Sequence, residues 1–144
     1  MTKKILVAYD GSKPSKEAVL EAKNHSVETP EREIHIVSVV KPTGPFTNKA
    51  VSKQIGDELA KNYEFELQEI KQEIESENVS VVTTVLVGEL ENNPGEKVCE
   101  YAEDNDIDFI IVGSRGLGNV KRIFLGSVSN NIVQHATCPV LVIK

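Results

Sequence analysis

Apolar residues along the chain fall into five short runs separated by longer stretches with helical spacing. The first run, Ile5 to Tyr9, is continuously apolar and ends at the turn signal Asp10-Gly11-Ser12, which is typical of a strand buried on both faces. Four later runs have the length and β-branched content of strands. They are Glu33 to Val40, Val79 to Val87, Ile107 to Val112 and Pro139 to Ile143.

Helical patterns occupy the stretches between these runs. The first helix is predicted to run to about Val27. Ser12 can be its N-cap, and Pro14 can lie in its first turn. The longest pattern places apolar residues at three- and four-residue steps down a helix ending near Glu77. That stripe is Val51, Ile55, Leu59, Tyr63, Leu67, Ile70 and Ile74. Shorter helices are predicted around Tyr101 and from Ser127 to Ala136.

The alternating order predicts one α/β domain over residues 1–144, with a parallel sheet covered by helices on both faces. A chain of 144 residues that is 40% hydrophobic buries roughly 70% of its unfolded surface, enough for one core. The formal net charge is −6, and no basic block exceeds two residues. That balance argues against nucleic-acid binding, which requires clustered Lys and Arg.

Two cysteines, Cys99 and Cys138, lack paired spacing, so we expect buried apolar roles for them in a reducing compartment. No run of eighteen apolar residues suggests a membrane span, and we expect a soluble cytoplasmic protein without a membrane partner.

The segment after the fourth strand is rich in glycine. Gly113, Gly116, Gly118 and Gly126 are four of the nine glycines in the chain. Glycine lets successive N–H groups converge on an anion, and a helix starting at Ser127 attracts phosphate. Arg115 adds a cation at the same position. The alternative is that these glycines only shape a tight connection.

Other phosphate and catalytic motifs are missing from the sequence. There is no G-x-x-x-x-G-K-[ST], and the stretch from Gly116 to Lys121 lacks the third glycine of the dinucleotide fingerprint. No G-x-S-x-G elbow or zinc-binding Cys/His cluster is present. A phospho-accepting receiver domain needs a carboxylate after the third strand, where Gly88 stands.

Read as a whole, the segment is G-x-x-G, nine residues, then G-[ST], and Asp10 follows an apolar first strand. With the ending Cys138-Pro139-Val140-Leu141-Val142-Ile143, the entire chain resembles the universal stress protein family, in its ATP-binding branch. The resemblance implies a Rossmann-like fold, an open doubly wound five-stranded sheet in the order 3-2-1-4-5, and commonly a homodimer. Strands one and four would then border one crevice at their carboxyl ends.

The resemblance also implies a set of ATP-binding residues, with Mg or Mn accompanying the phosphates. They are Asp10 at the adenine-ribose end, the backbone of Val39 at the adenine edge, Gly113, Arg115 and Gly116 around ribose and phosphates, and Gly126, Ser127, Val128 and Ser129 along the phosphate chain. Asp10 has a second interpretation, as a turn residue bonded to the first helix. The acidic loop Glu89 to Asn93 departs from the shorter Gly-x-Pro entry of many members, and its effect on affinity stays open.

Two functions remain possible on the sequence. One is a non-enzymatic regulatory or stress-resistance module in which ATP alters conformation and partner choice. The other is a slow ATP hydrolase or phosphotransferase, for which Glu89 or Glu91 would have to orient water. A ligand-free structural dimer is a third interpretation.

Two segments have further predicted roles. The loop Lys41 to Asn48, rich in Pro and Gly, is predicted to be a lid over the crevice, with an ordinary connection as the alternative. The apolar strand Pro139 to Ile143 is predicted to be an edge that pairs antiparallel in a homodimer.

Overall fold

The structure, a computed structural model, describes residues 3–28, 31–40, 49–88, 92–114 and 126–144. Its elements, in chain order, are β1 (Lys3–Ala8), α1 (Lys13–Glu28), β2 (Arg32–Val40), α2 (Lys49–Ile74), β3 (Val79–Val87), α3 (Pro94–Asp104), β4 (Phe109–Gly113), α4 (Ser127–His135) and β5 (Val140–Ile143). The predicted alternation is confirmed. The predicted end of the long helix near Glu77 is wrong, because Ser76 leaves the helix and bridges to Val79.

The five strands form one parallel sheet in the order β3-β2-β1-β4-β5. The predicted strand order is therefore confirmed. β1 lies at the centre, where Val7 aligns with Ile36 on one side and Ile111 on the other. Because the winding direction reverses between β1 and β4, a crevice forms beyond their carboxyl ends.

Separate hydrophobic cores lie on the two faces of the sheet. On one face, α1 and α2 pack over Ile5, Val7 and Ile36. On the other face, α3 and α4 pack over Leu6 and Ile110. The consecutive β1 residues Ile5, Leu6 and Val7 are completely buried, which confirms the prediction that this strand is covered on both faces.

The apolar stripe of α2 is buried over its carboxyl-terminal part. Leu67 and Ile74 are buried, whereas Leu59 is 37% exposed, so not every residue of the stripe is in the core. The 26 residues of α2 span about 39 Å, whereas the nine residues of β3 span only about 30 Å. The helix is longer than the strand it covers. The side chains of Val51 and Ile55 lie outside the part that the structure describes.

The two cysteines are both free thiols, and they differ in burial. Cys99 is buried in the α3–α4 core, but Cys138 is only partly buried, so the prediction of burial holds for Cys99 alone. Burial raises the pKa of both thiols. Among the helices of the described ranges, none is long and apolar enough to cross a membrane.

Candidate nucleotide site

The start of α4 is fixed against the end of β4. The Gly126 N–H donates to the Ser114 carbonyl at 2.7 Å, and the buried Ser129 hydroxyl donates to the Gly113 carbonyl. These bonds bring together the two ends of the predicted glycine motif. Arg115 and Gly116, which the sequence also predicts as ligands, lie outside the described residues.

The first turn of α4 has no side-chain cap. Its N-cap residue, Gly126, has φ −64° and ψ 165°, and the Asn130 N–H donates back to the Gly126 carbonyl at 2.9 Å. The N–H groups of the first turn, from Ser127 to Ser129, thus receive no capping side chain in the described part of the chain. An uncapped helix start combines free donors with the positive end of the helix dipole, which suits phosphate.

Gly113 is required by packing as well as predicted for binding. A Cβ atom at this position would lie 2.7 Å from the Pro14 Cβ and 3.0 Å from the Pro14 carbonyl carbon. The first turn of α1 therefore approaches β4 so closely that no side chain fits between them. The Ser129 hydroxyl already donates to the Gly113 carbonyl. Its main-chain N–H is therefore the group suited to a ligand.

Asp10 forms the turn that the alternative interpretation predicts. Its Oδ1 accepts from the Ser12 N–H at 2.9 Å, and Gly11 takes a positive φ of 84°, which favours glycine. The carboxylate is half-buried at the end of β1. Its other oxygen has no partner within the described residues, so shaping the turn and accepting from a ligand hydroxyl are compatible.

The main chain of Val39 faces the space beyond β1. Tyr9 donates its N–H to Val37 at 2.9 Å, and Gly88 donates its N–H to Val40 at 2.8 Å. At this end of β2, the main-chain N–H and C=O groups of odd-numbered residues therefore point toward β1, and those of even-numbered residues point toward β3. Because β1 has already ended at this level, the N–H and C=O of Val39 face the crevice, the geometry that backbone recognition of adenine needs.

A polar cluster on α2, which the sequence interpretation missed, borders the same end of β1. The Tyr9 hydroxyl donates to Glu66 Oε1 at 2.6 Å, and the Tyr63 hydroxyl donates to the Asp10 carbonyl at 3.4 Å. Burial raises the pKa of both tyrosine hydroxyls, and the carboxylates of Glu66 and Asp10 add to the increase. The signal was present in the spacing, because Glu66 lies three residues after Tyr63 and four before Ile70, on the same helix face.

Asn93 joins the starts of α3 and α4. Its Oδ1 accepts from the Gly95 N–H at 2.8 Å and caps α3, while its Nδ2 donates to Ser127 Oγ at 2.9 Å. The Asn-Pro pair was a readable cap signal, since Pro94 follows at the first helical position. The neighbouring carboxylates Glu89 and Glu91, as well as the predicted lid at residues 41–48, lie outside the described residues.

Solved structures with the same fold include several with the universal stress protein name. One from Lactobacillus plantarum superimposes with a TM-score of 0.86 at 24% identity, covering 99% of this chain and 97% of the other. One from Arabidopsis thaliana has AMP bound and a TM-score of 0.60 at 24% identity, over 99% of this chain and 91% of that one. Another, in complex with cAMP, has a TM-score of 0.65 at 20% identity, over 99% and 96%. At these identities the likeness shows the fold.

Sequence comparison gives the family. Universal stress protein YxiE of Bacillus subtilis is 32% identical over 153 aligned positions, covering 100% of both chains. A universal stress protein of Methanocaldococcus jannaschii is 34% identical over 145 positions, covering 99% of this chain and 82% of the relative. The universal stress protein family matches residues 1–144. The chain therefore belongs to the universal stress protein family.

Proposed function

We propose that this protein binds ATP in the crevice between the carboxyl ends of β1 and β4, and that it acts as a nucleotide-dependent regulatory or stress-resistance module. The observation that carries the proposal is the uncapped start of α4, held by the Gly126–Ser114 hydrogen bond at the end of β4. Family members with AMP and cAMP bound support an adenine nucleotide as the ligand.

In this proposal the ligand is held mainly by main-chain groups. The N–H groups from Ser127 to Ser129 bind the phosphate chain, and Gly126, which has no side chain, leaves room for it. The Ser127 hydroxyl, which accepts from Asn93, donates to the same phosphates. Asp10 accepts from the ribose, and the N–H and C=O of Val39 meet the adenine edge. Arg115 and Gly116 complete the set on the strength of the sequence motif.

The proposed site also fits a divalent cation on the phosphates. Mg²⁺ and Mn²⁺ bound with nucleotides take most of their ligands from phosphate oxygens and water, with one or two protein oxygens. Ser127 Oγ lies at the helix start where the phosphates would be. When bound, the cation would neutralise phosphate charge beside the carboxylates of Asp10 and Glu66.

We infer binding with slow or negligible turnover in place of rapid catalysis. Hydrolysis needs a group that orients water against the terminal phosphate. The nearby carboxylate of Glu66 already accepts from the Tyr9 hydroxyl, and the crevice carboxylate of Asp10 is bonded into its turn. A steady-state phosphate-release assay, with Asp10→Ala as the comparison, separates this from the hydrolase alternative. Rapid release that Asp10→Ala abolishes would establish the hydrolase.

The decisive test of binding is Gly126→Val. The backbone at Gly126 lies in a region that any residue adopts, so the fold is expected to survive. The added methyl groups would occupy the position of the phosphate, and ATP binding measured by calorimetry is expected to be lost. Val133→Ala, a change at an exposed position on the same helix, is the matched control. Wild-type affinity in folded Gly126→Val would refute the assignment.

Recognition of adenine is proposed to depend on the main chain. Val39→Ala keeps the N–H and C=O in place, so the preference for ATP over GTP is expected to change little. Competition binding of the two nucleotides measures it. Loss of all preference in this variant would show that the side chain, and not the backbone, selects the base.

We also propose a homodimer through β5. This strand is an edge of the sheet, and it has no charged residue from Val140 to Ile143. Ile110 donates to Pro139 at 3.0 Å and Ser114 donates to Ile143 at 2.7 Å. Odd-numbered residues of β5 therefore face β4, and the outward main-chain groups belong to Val140 and Val142. Antiparallel pairing about a two-fold axis would satisfy these groups.

A further inference from the structure

The opposite edge of the sheet is β3, a longer strand that contains neither charge nor proline. β3 spans nine residues, Val79–Val87, without a charged residue or a proline. Edge strands of soluble proteins are commonly protected from pairing by charge, proline, a bulge or a covering segment. The absence of the first two makes it important to know which main-chain groups of β3 are already satisfied.

The first half of the β3 edge is covered by the chain itself. Ser76 and Val79 exchange two main-chain hydrogen bonds, at 3.1 and 3.2 Å. The Val81 N–H donates to the Glu75 carboxylate at 3.4 Å. The turn between α2 and β3 therefore occupies both outward main-chain groups of Val79 and the N–H of Val81.

Within the described residues, the second half of the same edge is open. Gly88 donates its N–H to the Val40 carbonyl in β2. The main-chain groups of even-numbered residues of β3 therefore face β2, and those of odd-numbered residues face outward. The outward residues beyond Val81 are Thr83, Val85 and Val87. In the described part of the chain, no residue donates to or accepts from their outward main-chain groups.

A groove between α2 and β3 runs beside this open half. It has a volume of about 510 Å³, and its lining includes Thr83, Val85 and Phe65. Phe65 on α2 is 69% exposed, and Val87 at the end of the strand is 61% exposed. An exposed aromatic ring lies next to an open strand edge. Pairing of this edge would satisfy its unpaired main-chain groups and would remove exposed apolar area from water.

We infer that the open half of β3 pairs with β3 of a second copy of this chain. A two-fold axis at Val85 places Thr83 of one copy opposite Val87 of the other, in an antiparallel ladder of about six hydrogen bonds. The two Phe65 side chains then lie on the same face, over the new junction.

The charge distribution favours a second copy as the occupant. Each chain has a net charge of −6, so most of its surface repels another copy. Lys61 and Glu64 in the groove lining balance each other, and β3 itself is uncharged. The face therefore presents no net charge to a charged peptide, and its uncharged strand can approach its own copy with less like-charge repulsion than the rest of the surface.

Val85→Pro tests the pairing directly. The Val85 N–H faces outward, so proline there removes a donor to the second copy without breaking the β2–β3 ladder. Sedimentation velocity over a range of protein concentrations is expected to show a concentration-dependent assembly in the wild type. In Val85→Pro the species that need the β3 contact should be lost, which leaves the monomer or the proposed β5 dimer. A wild type that stays monomeric, or an assembly unchanged in folded Val85→Pro, would overturn the inference.

A second variant and a backbone measurement guard against misfolding of the proline variant. Phe65→Lys is expected to weaken the same assembly, whereas Leu20→Lys, at a 57% exposed position on α1, should leave it unchanged. Hydrogen exchange at the amides of Thr83, Val85 and Val87 is expected to slow as concentration rises. Exchange at these amides that is independent of concentration would refute β3 pairing even if another surface, such as β5, forms a dimer.

Discussion

Replacing Gly113 by alanine separates the packing role of this residue from the predicted ligand role. The new Cβ would lie 2.7 Å from the Pro14 Cβ, 3.0 Å from the Pro14 carbonyl carbon and 3.1 Å from the Ser15 nitrogen. Carbon atoms in contact prefer separations of about 3.5–4.0 Å. The start of α1 would therefore have to move by roughly 1 Å away from β4.

That movement is resisted by the hydrogen bonds of the first turn of α1. Ser15 donates to Ser12 Oγ at 3.3 Å, and Lys16 donates to the Ser12 carbonyl at 3.0 Å. Overpacking a filled site of this kind costs about 1–3 kcal/mol. For a chain of this size, the cost corresponds to a melting temperature lower by roughly 3–10 °C.

The assay is urea unfolding followed by circular dichroism, with Gly126→Ala as the matched control. Gly126 has an ordinary negative φ, so alanine there is expected to change the free energy of unfolding by no more than about 0.5 kcal/mol while weakening ATP binding. Gly113→Ala is expected to show the opposite balance, in which the loss of unfolding free energy is the main effect and the loss of ATP binding is secondary. A Gly113→Ala protein as stable as the wild type would refute the packing argument.

Three further predictions test the surroundings of the site. Asn93→Asp keeps the α3 cap but replaces the amide donor to Ser127 with a carboxylate, so calorimetry should show ATP affinity at least tenfold weaker with stability nearly unchanged; equal affinity would contradict the role of Asn93. Tyr9 has a raised pKa in the folded state, so its contribution to stability is complete below about pH 10 and is lost as pH rises above it. Urea unfolding from pH 9 to 11 should therefore show a shallower loss in Tyr9→Phe, and identical slopes would exclude this cause. Val142→Pro removes an outward donor from β5 and should dissociate the proposed β5 dimer in light scattering, whereas a folded variant that remains dimeric would exclude that interface.

The proposed dimer interface shows how the structure refines a sequence pattern. The sequence identifies an apolar last strand, and the strand order makes it an edge. Leu141, at the middle of that strand, is an obvious position for a disruptive proline. The alternation of main-chain hydrogen bonds shows instead that the N–H and C=O of Leu141 face β4. Proline at this position would therefore break the sheet within each subunit. Only the pairing register, which no local pattern encodes, reveals that Val142 is the residue to change.

What the sequence determined by itself was the set of elements, their order and the places at strand ends where the candidate residues lie. These follow from local periodicity, since apolar runs and helical stripes are recorded residue by residue along the chain. The same local logic locates the glycine motif and Asp10, because each directly follows a recognisable strand.

The tertiary structure decided what those residues contact. Gly113 is glycine because α1 comes within contact distance of β4. Leu59 is exposed although it belongs to the apolar stripe of α2. Glu66 and Asn93 reach the site from elements far from the motif in sequence. Such contacts depend on how each helix packs against the sheet, including the lengths of the helix and of the strands that it covers. Packing of this kind involves several segments at once, so no single segment encodes it.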